Sequence, residues 1–346
     1  MGIRCLAWSS AGLLGWLSGA VSAQPLDANF AVPALDRWMY TFGSEPGVEP
    51  EATVFSVLGS AFEGTFDIRD GQFLVGYQTG TQVTPGQGVT RYRVLSASVV
   101  ARISRDRVFR YDPTFDALET YLPQSDPAYV PDTDAARPIE LHAVGYRNGL
   151  SVFSFQETTP FSFGNPVQKR VRNAFAAQYQ NADGTGPLVD ISNNCYEEAG
   201  YPRFESRPFS VGRCPLAPGA EVDINTDFTF EIDLTDPGAI RYVREGLNAG
   251  RLNFMITSLA ATVQQSSVTP SFYTKEYPAE IGGVPARLNI RVCVGAPADW
   301  NCSGMATVQD VFDYLSDYFV GRGDFNADGR TSVQDIFDYL AAYFGA

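Results

Sequence analysis

The segment Tyr92-Arg93-Val94-Leu95-Ser96-Ala97-Ser98-Val99-Val100-Ala101-Arg102-Ile103 alternates apolar and polar residues and is rich in types that suit a pleated strand. Alternation of period two buries one face against a core and turns the other toward solvent. The pattern recurs on both sides. Gln72-Phe73-Leu74-Val75-Gly76-Tyr77 precedes it; Ile139 to Tyr146, Ser151 to Phe155, Phe228 to Leu234, Leu252 to Ser258 and Arg287 to Val294 follow. Turn clusters separate them, among them Thr84-Pro85-Gly86-Gln87-Gly88, Asn181-Ala182-Asp183-Gly184 and Ala217-Pro218-Gly219. Such spacing predicts a mainly β body, a sandwich or jelly roll. Composition agrees: 13% aromatic residues can fill a core, and 32 Gly and 22 Pro can serve many turns.

One helical crossover is expected inside this body. Thr235-Asp236-Pro237 supplies a cap and a first-turn proline, Ile240, Val243 and Leu247 share a helical face, and Gly250 stops it.

The C-terminal region is different. Asp299-Trp300-Asn301-Cys302-Ser303-Gly304-Met305-Ala306-Thr307-Val308-Gln309-Asp310 repeats 25 residues later as Asp324-Phe325-Asn326-Ala327-Asp328-Gly329-Arg330-Thr331-Ser332-Val333-Gln334-Asp335. Each copy continues into an amphipathic helix. The stripes Val311, Phe312, Leu315, Phe319 and Ile336, Phe337, Leu340, Phe344 are expected to pack on each other, leaving some of Tyr314, Tyr318, Tyr339 and Tyr343 outside. Oxygen side chains stand at positions 1, 3, 5, 9 and 12, with Gly at 6, which is the spacing of an EF-hand loop. The expected ligand sets are Asp299, Asn301, Ser303, Met305 (by its carbonyl), Thr307 and Asp310, and Asp324, Asn326, Asp328, Arg330 (by its carbonyl), Ser332 and Asp335. Two calcium ions are the expected cofactors. The second loop offers three carboxylates and the first only two, so the second is expected to bind more tightly.

These two repeats resemble the dockerin-like C-terminal tails of exported bacterial proteins and the type I dockerin domains, over about 48 residues. Asp rather than Glu at position 12 follows the dockerin habit. The resemblance implies a small all-α calcium-binding domain over 295–346 that docks the chain to a cohesin-like or cell-surface protein. Positions 10 and 11 carry Val308-Gln309 and Val333-Gln334 where cellulosomal dockerins often carry a Ser/Thr pair, which puts a cellulosomal cohesin in doubt. The body, over 24–294, is similar in scattered parts to disaggregatase-related jelly-roll modules. Glu231-Ile232-Asp233-Leu234, the helix, and Gly250-Arg251-Leu252-Asn253-Phe254-Met255 carry that similarity, as do Phe73 to Tyr77 and Leu95 to Val99. The inserts from about Phe109 to Pro138 and from about Phe163 to Gly219 do not fit it.

Residues 1–23 read as a secretory signal peptide: Arg4, an apolar stretch from Cys5 to Val21, and Val21-Ser22-Ala23 before the cleavage point. The chain is therefore expected to be secreted, extracellular or at the cell surface, with no transmembrane segment. Four cysteines remain, allowing three connectivities, and spacing favours Cys195–Cys214 and Cys293–Cys302. A net charge of −14 argues against a nucleic-acid partner. The single His142 sits in an alternating strand and reads as structural, and no nucleophile or phosphate-loop motif is present. Carboxylate-pair chemistry stays open, with Asp112, Asp116, Glu140, Glu231 and Asp233 as candidates. Trp38, Tyr40, Tyr77, Tyr146 and Tyr273 are candidate stacking platforms for a polysaccharide, core packing being the commoner use of such residues. The first reading of function is a non-catalytic binding or surface-attachment protein. The alternatives are a polysaccharide-degrading hydrolase or lyase delivered by the same tail, and a structural matrix component.

Overall fold

The computed structural model describes residues 24–43, 47–134, 136–262 and 269–345; the expected leader over 1–23 lies outside them. The chain is mainly β. Four antiparallel strands, Leu26–Phe30, Arg287–Val294, Tyr92–Arg102 and Asp227–Glu231, form one sheet in that order. A larger antiparallel sheet runs Leu35–Met39, Arg69–Tyr77, Leu252–Ser258, Ile139–Tyr146, Ala174–Tyr179 and Leu188–Asp190, with Phe55–Ser56 and Ser210–Val211 attached. The two pack face to face as a sandwich. Between them lie Val99, Ala101 and Ile103 from the first sheet and Phe73, Val75, Leu141, Phe254 and Ile256 from the second.

The register explains how one long strand keeps its inward face. Arg291 pairs Ser96 but Val292 pairs Val94, so Leu95 is an extra residue. Without that bulge Tyr92 and Val94 would face away from Ala97, Val99 and Ala101; with it all five are buried. The helix appears over Pro237–Ala249, capped by the Asp236 carboxylate on the Ala239 N–H and closed by Gly250 at φ 72. Its Ala239, Val243 and Leu247 close the main core.

The larger sheet is buried on both faces. Leu74, Val144, Ala176 and Met255 point away from the sandwich core, and Leu150, Phe155, Phe161 and Phe204 from irregular chain cover them. Ser151 to Phe155, expected as a strand, belongs to this cover. Its backbone is folded on itself, with the Ser154 and Phe155 N–H groups both donating to the Ser151 carbonyl and the Ser154 hydroxyl accepting from the Ser151 N–H. Serine side chains that bond nearby backbone favour such turns over a ladder. The strand expected to reach Leu234 ends at Glu231, because the Asp233 carboxylate accepts from the Thr235 N–H and starts a turn.

Charged groups are trapped in this second layer. Arg69 donates to Glu140 Oε2 at 2.6 Å, and His142 Nε2 lies 3.3 Å from the same oxygen. All three side chains are within 1% of full burial. Burial holds His142 below its ordinary value, against the carboxylate's pull. Arg172 pairs Asp67 at 2.7 Å and lies 3.6 Å from Asp70. Burial pushes Asp70 up to about 7, opposed by Arg172 and reinforced by Asp67. An acid raised in the fold binds its proton more readily there than in the unfolded chain. Its contribution therefore falls as pH rises from about 4 to about 7, and the deficit persists above that. Asp70→Asn is expected to stabilise the protein at pH 8 by on the order of 2–4 kcal/mol and to change little at pH 4. Urea denaturation at the two pH values checks this, and equal effects at both would contradict it.

Of the two expected disulfides one is present. Cys293 and Cys302 are joined, tying the last strand of the body to the first repeat. Cys195 and Cys214 are not joined. Cys195 is buried beside Phe55, Val57, Phe66 and Tyr121, whereas Cys214 packs at the margin of the main sandwich core, so spacing in sequence misjudged their separation in space. No helix among the described residues is long and apolar enough to cross a membrane.

Candidate metal centre

The two twelve-residue loops adopt the same backbone. Position 4 is left-handed in both, Cys302 at φ 60 and Ala327 at φ 60, and position 6 is glycine at φ 96 (Gly304) and φ 90 (Gly329). A non-glycine residue in that region is uncommon, and two at the same place in two copies define a specific turn. Position 1 bends inward in each copy: Asp299 accepts from the Ser303 and Gly304 N–H groups, and Asp324 from those of Asp328 and Gly329. At position 3, the Asn301 and Asn326 side chains accept from Ser303 and Asp328 N–H and donate to Asp313 and Asp338.

Position 12 is the hub. Asp310 accepts from Asn301 N–H with one oxygen and from the Thr307 N–H and hydroxyl with the other. Asp335 accepts from Phe325 and Asn326 N–H and from the Ser332 N–H and hydroxyl. Both carboxylates are fully buried, and each closes a capping box at the start of its helix, Val308–Phe319 or Val333–Phe344. Position 9 thus supplies the N-cap, and the Met305 carbonyl at position 7 accepts from the Ser303 hydroxyl. The donors offered at these positions are oxygens throughout, the hard set that calcium takes. Burial pushes Asp324 up, Arg244 and the Gly329 N–H opposing, while Asp335 and Asp328 add to the rise. Asp328 is exposed and Asp335 wholly buried, so one carboxylate of the loop faces solvent while another supports its backbone.

The helices meet through two of the four tyrosines, some of which were expected outside. Tyr314 and Tyr339 are fully buried and stacked, 4.1 Å between centroids and 11° between planes. Each hydroxyl holds the residue just ahead of the other copy's loop: Tyr314 donates to the Gly323 carbonyl and Tyr339 to the Ala298 carbonyl. Trp300 and Phe325, at position 2 of each loop, complete this core. Phe312, Phe319, Phe337 and Phe344 are 60–81% exposed, as are Val308 and Val333 at 63% and 59%. The stripe expected to face inward is therefore split. Its leucines pack against the core and its phenylalanines do not, because two stacked tyrosines with satisfied hydroxyls fill the space between helices.

The repeats rest on the body. Arg93 donates to Asp317, and its guanidinium lies 4.7 Å from the Trp300 ring centroid. Arg244, on the body helix, donates to the Tyr92 and Asp324 carbonyls and stands 4.0 Å from the Asp324 carboxylate. Arg330 pairs Asp183.

Other groups named from sequence are scattered. Glu140 is consumed by Arg69 and His142. Glu231 and Asp233 line a groove of about 510 Å³ together with Glu205, Asp236, Arg207 and Phe115. Asp112 and Asp116 lie in the insert before the strand Ile139–Tyr146. Tyr77 and Tyr273 are core residues, and Tyr146 accepts from Asn253. Trp38 and Tyr40 are half-buried against each other, 4.6 Å between centroids, with exposed Phe42 at their edge. A second acid cluster, missed in the sequence because its members are far apart, joins Asp36, Glu157 and Glu276. Lys275 fills it, 3.3 Å from Asp36 and 3.7 Å from Glu276.

No protein-family model, curated protein or solved structure matches the chain.

Proposed function

We propose that this is an exported, non-catalytic attachment protein whose C-terminal repeats form a dockerin-like domain that binds two calcium ions and docks the β body to a protein partner. The observation that carries this reading is the equivalence of the two loops: same left-handed residue, same glycine turn, same buried carboxylate joining loop to helix. Asp299, Asn301, Ser303, Met305, Thr307 and Asp310 hold one ion, and their counterparts from Asp324 to Asp335 the other. The ions neutralise the carboxylates of a tail that carries eight Asp against two Arg. The docking surface is the exposed pair of apolar patches, Val308 with Phe312 and Val333 with Phe337. They favour a partner with an apolar groove over the Ser/Thr-reading cohesins of cellulosomes. A non-catalytic body is supported by His142, the only histidine, being enclosed between Glu140 and neighbouring strands. Polysaccharide contact through the body rests on the Trp38–Tyr40–Phe42 cluster.

A second reading, a polysaccharide-cleaving enzyme carrying the same tail, is favoured by the groove lined with Glu205, Glu231, Asp233 and Asp236. Polysaccharide cleavage abolished by Glu231→Gln would establish it.

Calcium titration of the full chain tests the tail. Loop 2 is expected to bind more tightly, because three carboxylates outweigh two even with Arg244 beside Asp324. Asp324→Ala should therefore remove the tighter site and Asp299→Ala the weaker. Titrations unchanged by both substitutions would overturn the calcium reading; the opposite order would overturn the charge argument alone.

A further inference from the structure

The insert between the strands Tyr92–Arg102 and Ile139–Tyr146 is long; among the described residues it holds one short turn, Leu118–Tyr121, and isolated bridges from Ile103 to Phe272 and from Arg110 to Glu221. Ordered connections of that length with so little regular structure are usually functional. Its acids are brought together. One carboxylate oxygen from each of Asp112, Asp116 and Asp134 lies within 4.8 Å of the others. Two oxygens on opposite sides of a calcium ion at 2.3–2.6 Å stand about 4.6–5.2 Å apart, so the cluster has the span of one coordination sphere.

Charge is not balanced there. Arg137 donates to Asp116 Oδ2 at 2.7 Å and stands 2.9 Å from Asp132 Oδ2, and it lies over the Tyr121 ring. Asp112 and Asp134 have no salt bridge among the described residues. Asp112 is 4% exposed. Its Oδ1 accepts from the Thr114 N–H and hydroxyl, and its Oδ2 is buried with no hydrogen-bond partner. The Thr114 hydroxyl also lies 2.9 Å from Asp134 Oδ2, so two carboxylates share its one proton. A buried carboxylate oxygen without a donor costs free energy that a cation recovers. A cavity of about 390 Å³, lined by Asp132, Asp134, Arg110 and Arg137, reaches the cluster at Asp134. By contrast, the Lys275 ammonium reaches all three acids of the cluster at Asp36, whereas Arg137 pairs only Asp116 of this one.

We propose that Asp112, Asp116 and Asp134 bind one calcium ion in the body, separate from the tail, and that this ion fixes the insert. The donors are carboxylate oxygens, and no histidine or cysteine stands among them, which excludes a zinc-type set. The ordered insert presents Pro113 and Phe115, two of the three residues between Asp112 and Asp116, as part of the wall of the groove lined by Glu205 and Glu231. Calcium thereby shapes the rim of a groove that carries four carboxylates, Glu205, Glu231, Asp233 and Asp236.

The test is calcium counting by equilibrium dialysis on the full chain carrying Asp299→Ala and Asp324→Ala. One ion per chain is expected to remain in that background. Adding Asp134→Asn or Asp112→Asn is expected to weaken it at least ten-fold, and calcium is expected to slow proteolysis within the insert only where these acids are intact. Asp134 is exposed, so its substitution leaves the fold unstressed even if Asp112→Asn does not. An ion count that neither substitution alters would overturn the proposal, as would displacement by an equal concentration of magnesium. If the tail binds no calcium, the Asp299 and Asp324 substitutions will change nothing while the insert substitutions still remove one ion, so the two readings fail separately.

Discussion

Asp335→Ala is expected to melt the second half of the tail, at a cost of about 3–5 kcal/mol, even in saturating calcium. The buried carboxylate closes the capping box of the helix Val333–Phe344 and accepts from Phe325 and Asn326 N–H. Removing it loses a cap worth about 1 kcal/mol and leaves N–H groups unpaired at about 1–3 kcal/mol each. Because Tyr339 stacks on Tyr314, the first helix loses its partner surface as well. Asp328→Ala is the matched control. That side chain is exposed, so its loss should leave the helices intact in saturating calcium and only raise the calcium concentration they need. Thermal melts followed by circular dichroism, in saturating calcium, separate the two. Equal helicity and equal melting of the two variants in saturating calcium would show that position 12 has no structural role beyond holding the ion.

Arg69→Met carries the largest expected effect in the body. Its side chain is 0% exposed and Glu140's is 1%, and removing one partner leaves the other charge stranded in the interior. Such losses cost about 3–5 kcal/mol, whereas replacing both partners by apolar groups is often neutral. Burial alone pushes Glu140 up; Arg69 and His142 hold it below its usual value. Without Arg69 the acid takes up a proton more readily, so the defect should be greatest at pH 7 and smaller at pH 5. Arg69→Met/Glu140→Leu should recover most of the loss. Urea melts of the single and double variants at both pH values check this, and a double variant no more stable than the single would contradict it.

The sandwich was legible where strands alternate, as in Tyr92–Arg102 and Arg287–Val294, which have one face on the core and one toward solvent. It was poorly legible where both faces are covered. Ala174–Tyr179 is a central strand that reads Ala-Phe-Ala-Ala-Gln-Tyr, without alternation or β-branched residues, and its place is set by neighbours on either side. The helix Pro237–Ala249 was readable because its cap, first-turn proline and terminal glycine are local signals. The tail repeat was visible because both copies carry the same residues, yet which face packs inward was misread. Hydrophobicity ranks Phe above Tyr, but the tyrosines lie inside because their hydroxyls find carbonyls in the opposite repeat. Position 2 held a usable signal, since Trp300 and Phe325 are both aromatic. The cluster of Asp112, Asp116 and Asp134 and the Arg69–Glu140–His142 chain were beyond reach, because they are assembled from residues whose approach depends on the tertiary fold.

The most direct measurement is circular dichroism of the fragment 295–346, first in chelator and then with calcium. The account predicts a largely unfolded chain that gains two helices, Val308–Phe319 and Val333–Phe344, as calcium is added, because a unit of this size with four core aromatics and an excess of six negative charges needs the ions to fold. A spectrum unchanged by calcium would contradict it.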